Sequence, residues 1–152
     1  MESILAVYEA ECAAELDRQM DSDPSEYVGL VAPSGSVWDI EIGSDGQTAT
    51  VVHANFDCPG FGTLWCGSGG CDNHIVVGEA DYTYFGYRPF STSDLDGRRF
   101  VILPVQGGAC SSTGGARGYT AAPCFRVAYW DDKSREFWMD SDHLTKGTPL
   151  HD

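Results

Sequence analysis

The chain has 152 residues, a length that points to one domain able to bury roughly 70% of the surface its unfolded form exposes. Hydrophobic residues at 42% and charged residues at 21% describe a folded globular chain and exclude disorder. The net charge of -14 lies wholly in residues 1–87, where fifteen acids meet a single base, Arg18, whereas residues 88–152 hold eight of each sign; such a field excludes direct nucleic-acid and anionic-lipid binding and favours a basic or neutral protein partner, although solubility alone also accounts for it.

The periodicity predicts a helix over residues 2–20. Ile4, Tyr8, Cys12, Leu16 and Met20 recur every fourth position, with Leu5 and Ala13 beside them. Arg18 near the end suits the helix dipole, and Pro24 cannot continue the helix. Cys12 lies on the apolar stripe and so should face the rest of the domain.

From Ser36 the period becomes two. Residues 36–42 and 47–53 read as strands joined by a turn at 43–46, whose Asp45-Gly46 pair tolerates the positive φ that tight hairpins need. Further strands are expected at 74–78, 82–87, 98–104, 124–130 and 135–140, with turns at 94–97 and 131–134. This spacing predicts a mainly β (α+β) domain over 1–152: an antiparallel sheet or small sandwich carrying the N-terminal helix. No internal repeat is present. No run of ~18 apolar residues exists that could cross a membrane as a helix.

Six cysteines, Cys12, Cys58, Cys66, Cys71, Cys110 and Cys124, are an even set, and five of them lie in the glycine-rich stretches 58–71 and 106–124. That arrangement suggests disulfides and an oxidising compartment. Six cysteines allow fifteen pairings; loop locality favours Cys66–Cys71 and Cys110–Cys124, leaving Cys12–Cys58. No signal peptide is legible, so either one was trimmed, or the protein leaves the cell by another route, or the thiols are reduced.

Glu11-Cys12, then Cys58, then Cys66-Gly-Ser-Gly-Gly-Cys71, then the late pair Cys110 and Cys124 resemble a group of bacterial proteins predicted to be periplasmic. Many of these carry an Asp-Gly-Asp-Gly type loop where this chain reads Ile42-Gly-Ser-Asp-Gly-Gln47 and lacks the extra acids. The resemblance implies a location outside the cytoplasm; no activity comes with it.

Other chemistries fit less well. Zinc favours two short Cys knuckles, and only Cys66 and Cys71 have that spacing. Asp21, Asp23, Asp140 and Asp142 offer carboxylates for calcium without a twelve-residue loop. Asp94, Asp96, Asp131 and Asp132 read as turn residues. Gly67–Gly70 lacks the Lys-Ser/Thr of a phosphate loop. His53, His74, His143 and His151 sit in no nucleophile motif; His74 is nearest a cysteine and reads as a surface strand residue. No catalytic site and no cofactor are expected.

Tyr84 and Phe85 are adjacent and point to opposite faces of a strand. Tyr82, Tyr84, Tyr87 and Phe90 are therefore the candidate interaction residues. The expected function is a non-enzymatic structural or interaction module of an extracellular assembly, homomeric or mixed, most concretely a capsid decoration or tail protein of a phage-like virion. The alternative is a free periplasmic or secreted binding protein.

Overall fold

A computed structural model describes residues 2–19, 29–43, 45–93, 99–106, 124–139 and 145–146. Helix α1 (Glu2–Gln19) is followed by β1 (Val37–Glu41), β2 (Thr48–His53), β3 (Cys66–Gly67), β4 (Gly70–Val77) and β5 (Ala80–Gly86). Then come β6 (Phe90–Ser93), β7 (Arg99–Val105), β8 (Cys124–Asp131), β9 (Glu136–Met139) and β10 (Thr145–Lys146). All pairings between them are antiparallel. The expected mainly β architecture with one helix is what forms.

Two sheets result. The first runs β1-β2-β4-β5-β10, with β3 pairing to β4, and the second runs β6-β7-β8-β9. The β1–β2 hairpin closes as its sequence demands: Gly46 has φ +86°, the Asp45 carboxylate accepts from the Gln47 amide at 3.1 Å, and the Ile42 amide donates to the Gln47 carbonyl at 2.8 Å. β4 starts at Gly70, ahead of the predicted 74, and β3, β6 and β10 were not foreseen. Their residues include Gly70, Ser91 and Ser93, which propensity assigns to turns; pairing with a neighbour overrides it.

Strand alternation sorts the side chains into three layers. Val51, Ile75, Tyr82 and Tyr84 of the first sheet meet Val101, Leu103, Ala128 and Trp130 of the second in the main core. The opposite face of the first sheet gives Val52, which with Ala54 and Phe56 packs under Ile4 and Tyr8 of α1. The helix stripe behaves as its spacing predicts, with Ile4, Tyr8 and Cys12 buried. Arg18 pairs with Glu15 one turn earlier.

Cys12 is bonded to Cys58, which ties α1 to the loop after β2, and Cys66 is bonded to Cys71 across the β3–β4 pair. Gly70 has φ +122°, and a Cβ there would strike the Gly86 carbonyl, so only glycine fits where this hairpin crosses β5. Cys124 is also disulfide-bonded; Cys110 lies outside the described residues. So do His143, His151, Asp21, Asp23, Asp94, Asp96, Asp140 and Asp142.

Candidate protein-interaction face

Among the described residues the second sheet is covered on one side only. Its inner residues enter the main core. Its outer residues, fixed by the register, form cross-strand rows. One row is Phe90, Ile102 and Val127; the next is Phe100, Tyr129 and Trp138; Pro104 and Phe125 make a third. Phe125 is 62% exposed, Trp138 54%, Phe90 48% and Val127 43%. Tyr129 stacks on Trp138 with ring centroids 6.5 Å apart, and Phe100 meets Tyr129 edge-on at 6.4 Å. An antiparallel sheet with one wet face normally shows polar residues there. Here the outer rows are apolar except for Thr92, opposite Phe100, and for one end, where Asp131 stands opposite Glu136. Asp131 accepts from the Ser134 hydroxyl at 2.7 Å and from the Ser134 amide at 3.1 Å, bonds that hold its pKa below the usual carboxylate value and make the expected turn.

Of the four aromatic residues singled out from sequence, two are core residues. Tyr82 and Tyr84 point into the main core and are buried, because their parity on β5 matches that of the inward rows. Tyr84 spends its hydroxyl on the Tyr87 carbonyl at 2.6 Å, and burial pushes its pKa well up. Tyr87 and Phe90 are exposed, and only Phe90 belongs to the outer rows. Phe100, Phe125, Val127, Tyr129 and Trp138 were missed. The signal was present: residues 100–105 are an unbroken apolar run, the pattern of a strand apolar on both faces.

A second feature lies under α1. The Tyr8 hydroxyl donates to His74 Nε2 at 2.7 Å, and His74 Nδ1 donates to Asp81 Oδ2 at 2.8 Å. His74 is thus a partly buried residue beneath the helix, not the surface strand histidine expected, because β4 turns that face towards α1. A carboxylate–imidazole–hydroxyl chain has the outline of a nucleophile relay. Its hydroxyl is a phenol only 5% exposed, edge-on to Phe56 at 5.3 Å and to Trp65 at 4.8 Å. Burial first, then the charges of Asp72, Glu11 and Asp81, push its pKa far up, so the phenol keeps its proton. Trp65 Nε1 donates to Glu11 Oε2 at 2.6 Å alongside. The chain acts as a polar lock between helix and sheet.

A third feature is an open cleft of about 520 Å³ lined by His53, Gly67, Gly70, Cys71, Tyr87 and Arg88. The Arg88 guanidinium lies over the Trp38 ring, 4.2 Å from its centroid. The Trp38 ring is also edge-on to His53 at 6.4 Å. Asn73 donates through its amide nitrogen to the Cys71 and Gly86 carbonyls, at 2.8 and 3.1 Å, which turns its oxygen towards His53 Nδ1 at 2.6 Å.

Cys12, Cys58, Cys66 and Cys71 are spent in disulfides, which removes them as thiolate ligands or nucleophiles. Among the described residues no group of three His, Cys, Asp or Glu side chains is placed to hold a metal ion. No described helix is long and apolar enough to cross a membrane. Comparison with protein-family models, with curated proteins and with solved structures finds no match for this chain.

Proposed function

We propose that the protein is a non-enzymatic interaction module that works outside the reducing cytoplasm and docks a protein partner on the outer face of its second sheet. The observation that carries this reading is the set of exposed apolar rows through Phe90, Phe125, Val127 and Trp138. Large contiguous apolar surface rimmed by polar residues marks interaction sites, and interface centres favour aromatic side chains. The location draws support from the two disulfides. Residues 88–152, which supply this face, carry no net charge, so an approaching protein meets little repulsion there. An accessory protein of a phage-like particle is the most concrete form of the reading.

The test is fractionation from the native source. The protein is expected in a high-mass fraction with its neighbours, and raising salt should not release it, because an apolar contact is not screened. Recovery as a lone monomer at every salt concentration overturns the reading in favour of a free binding protein.

A further inference from the structure

The cleft beside the Cys66–Cys71 hairpin stands apart from the apolar face and uses different chemistry. We infer that it is a binding site for an organic monocarboxylate that carries an adjacent N–H and an apolar body, the chemistry shared by N-acylated amino acids and peptide C-termini.

Arg88 supplies the charge recognition. The Arg88 guanidinium carbon lies over the Trp38 ring, 4.2 Å from its centroid, which places at the cleft a cation of the kind that grips carboxylates in bidentate fashion. Among the described residues no carboxylate lies within 4.0 Å of Arg88. The ring holds this side chain in place, so less freedom is lost when a ligand arrives.

His53 supplies the second contact. Because Asn73 presents its oxygen, His53 Nδ1 carries the hydrogen, and Nε2 of the neutral ring is left as an acceptor. Burial lowers the pKa of His53 and outweighs the Asn73 hydrogen bond, which raises it; the nearby Arg88 charge lowers it further, so the ring is neutral at physiological pH. An acceptor next to a cation fits a ligand whose anion is flanked by an N–H donor. The cleft wall is mostly apolar and has room for a side chain. A single cation in a strongly acidic protein also selects a monoanion over a phosphate dianion, which the surrounding field repels twice as strongly.

The test titrates the full isotopically labelled chain and follows its backbone amide shifts. Three probes are used: N-acetyl-phenylalanine, its carboxamide N-acetyl-phenylalaninamide, and inorganic phosphate. The acid should saturate shifts centred on His53, Gly67, Gly70, Tyr87 and Arg88 with a Kd of about 1 mM or tighter. The carboxamide and phosphate should bind at least about tenfold more weakly. Arg88→Gln should weaken the acid by about tenfold while the chain stays folded at the titration temperature, and Arg88→Lys should fall between. A pentapeptide ending in phenylalanine separates the two sources: tighter binding than the acid assigns a peptide C-terminus, and equal binding assigns a free acyl amino acid. Carboxamide binding equal to that of the acid overturns the inference. So does unchanged affinity in Arg88→Gln, a response centred elsewhere, or no saturation by about 10 mM acid.

Discussion

Tyr8 and His74 stand 66 positions apart in the chain and 2.7 Å apart in the fold, hydroxyl to Nε2. That contact couples the helix to the sheet at the point where the apolar seam between them is interrupted by a polar side chain. Removing the hydroxyl leaves the imidazole nitrogen without its donor in a place water reaches poorly. Tyr8→Phe is therefore expected to cost about 1–2 kcal/mol in urea unfolding, with the slope of the transition unchanged. A variant as stable as the parent would show the phenol to be idle.

The Cys12–Cys58 bridge closes the longer loop, with a separation of 46 residues against 5 for Cys66–Cys71. Chain entropy assigns the first roughly 4 kcal/mol and the second roughly 2, as upper values. Cys12→Ala with Cys58→Ala should accordingly lower stability more than Cys66→Ala with Cys71→Ala. Calorimetry on both pairs gives the order directly. Peptide mapping without reductant should recover each bridged pair, and six alkylatable thiols in the native protein would contradict it.

The two sides of the second sheet should respond oppositely to truncation. Leu103 is 1% exposed in the main core, and Leu103→Ala should cost about 2–5 kcal/mol. Phe125 is on the outer row, and Phe125→Ser should change the stability of the monomer by no more than about 0.5 kcal/mol. Chemical denaturation of the two variants decides it. A large loss at Phe125 would mean that its face is covered within the molecule.

Asp72 should be a pH-dependent cost to the fold. Burial raises its pKa from the unfolded value of 3.8, opposed by His74 and reinforced by Glu11. A carboxyl whose folded pKa is raised destabilises when ionised, so the cost is absent below about pH 3.8 and grows as pH rises through the folded value. Asp72→Asn should thus melt higher than the parent at neutral pH, and the difference should vanish in acid. A constant difference across that range would assign the effect to packing instead.

How far these sites could be read in advance depends on whether their signal is local. The helix stripe Ile4–Tyr8–Cys12 and the Asp45-Gly46 turn are local patterns, and both appear as read. The pairing Cys66–Cys71 forms as loop locality favoured, and Cys12–Cys58 forms as exclusion left it. The inward or outward sense of Tyr82 and Tyr84 is not local: alternation says that neighbours oppose each other, and only the second layer decides which parity is inside. The Tyr8–His74–Asp81 chain and the Arg88–Trp38 stack each join elements far apart in sequence, so nothing at any one position announces them. The outer rows were legible in principle, since Phe100–Val105 is apolar at both parities.

The disulfide connectivity bears on how the chain is made. Helix α1 precedes every residue it packs against, so at about 5–20 residues per second a nascent chain leaves Ile4 and Tyr8 without partners for a few seconds until Val52, Ala54 and Phe56 have emerged. Within this sequence Cys12, Cys58, Cys66 and Cys71 emerge in that order. The native bonds join first to second and third to fourth. An oxidant that acts on thiols in order of emergence produces this pattern on the first attempt, and biogenesis of these two bonds requires no reshuffling by an isomerase.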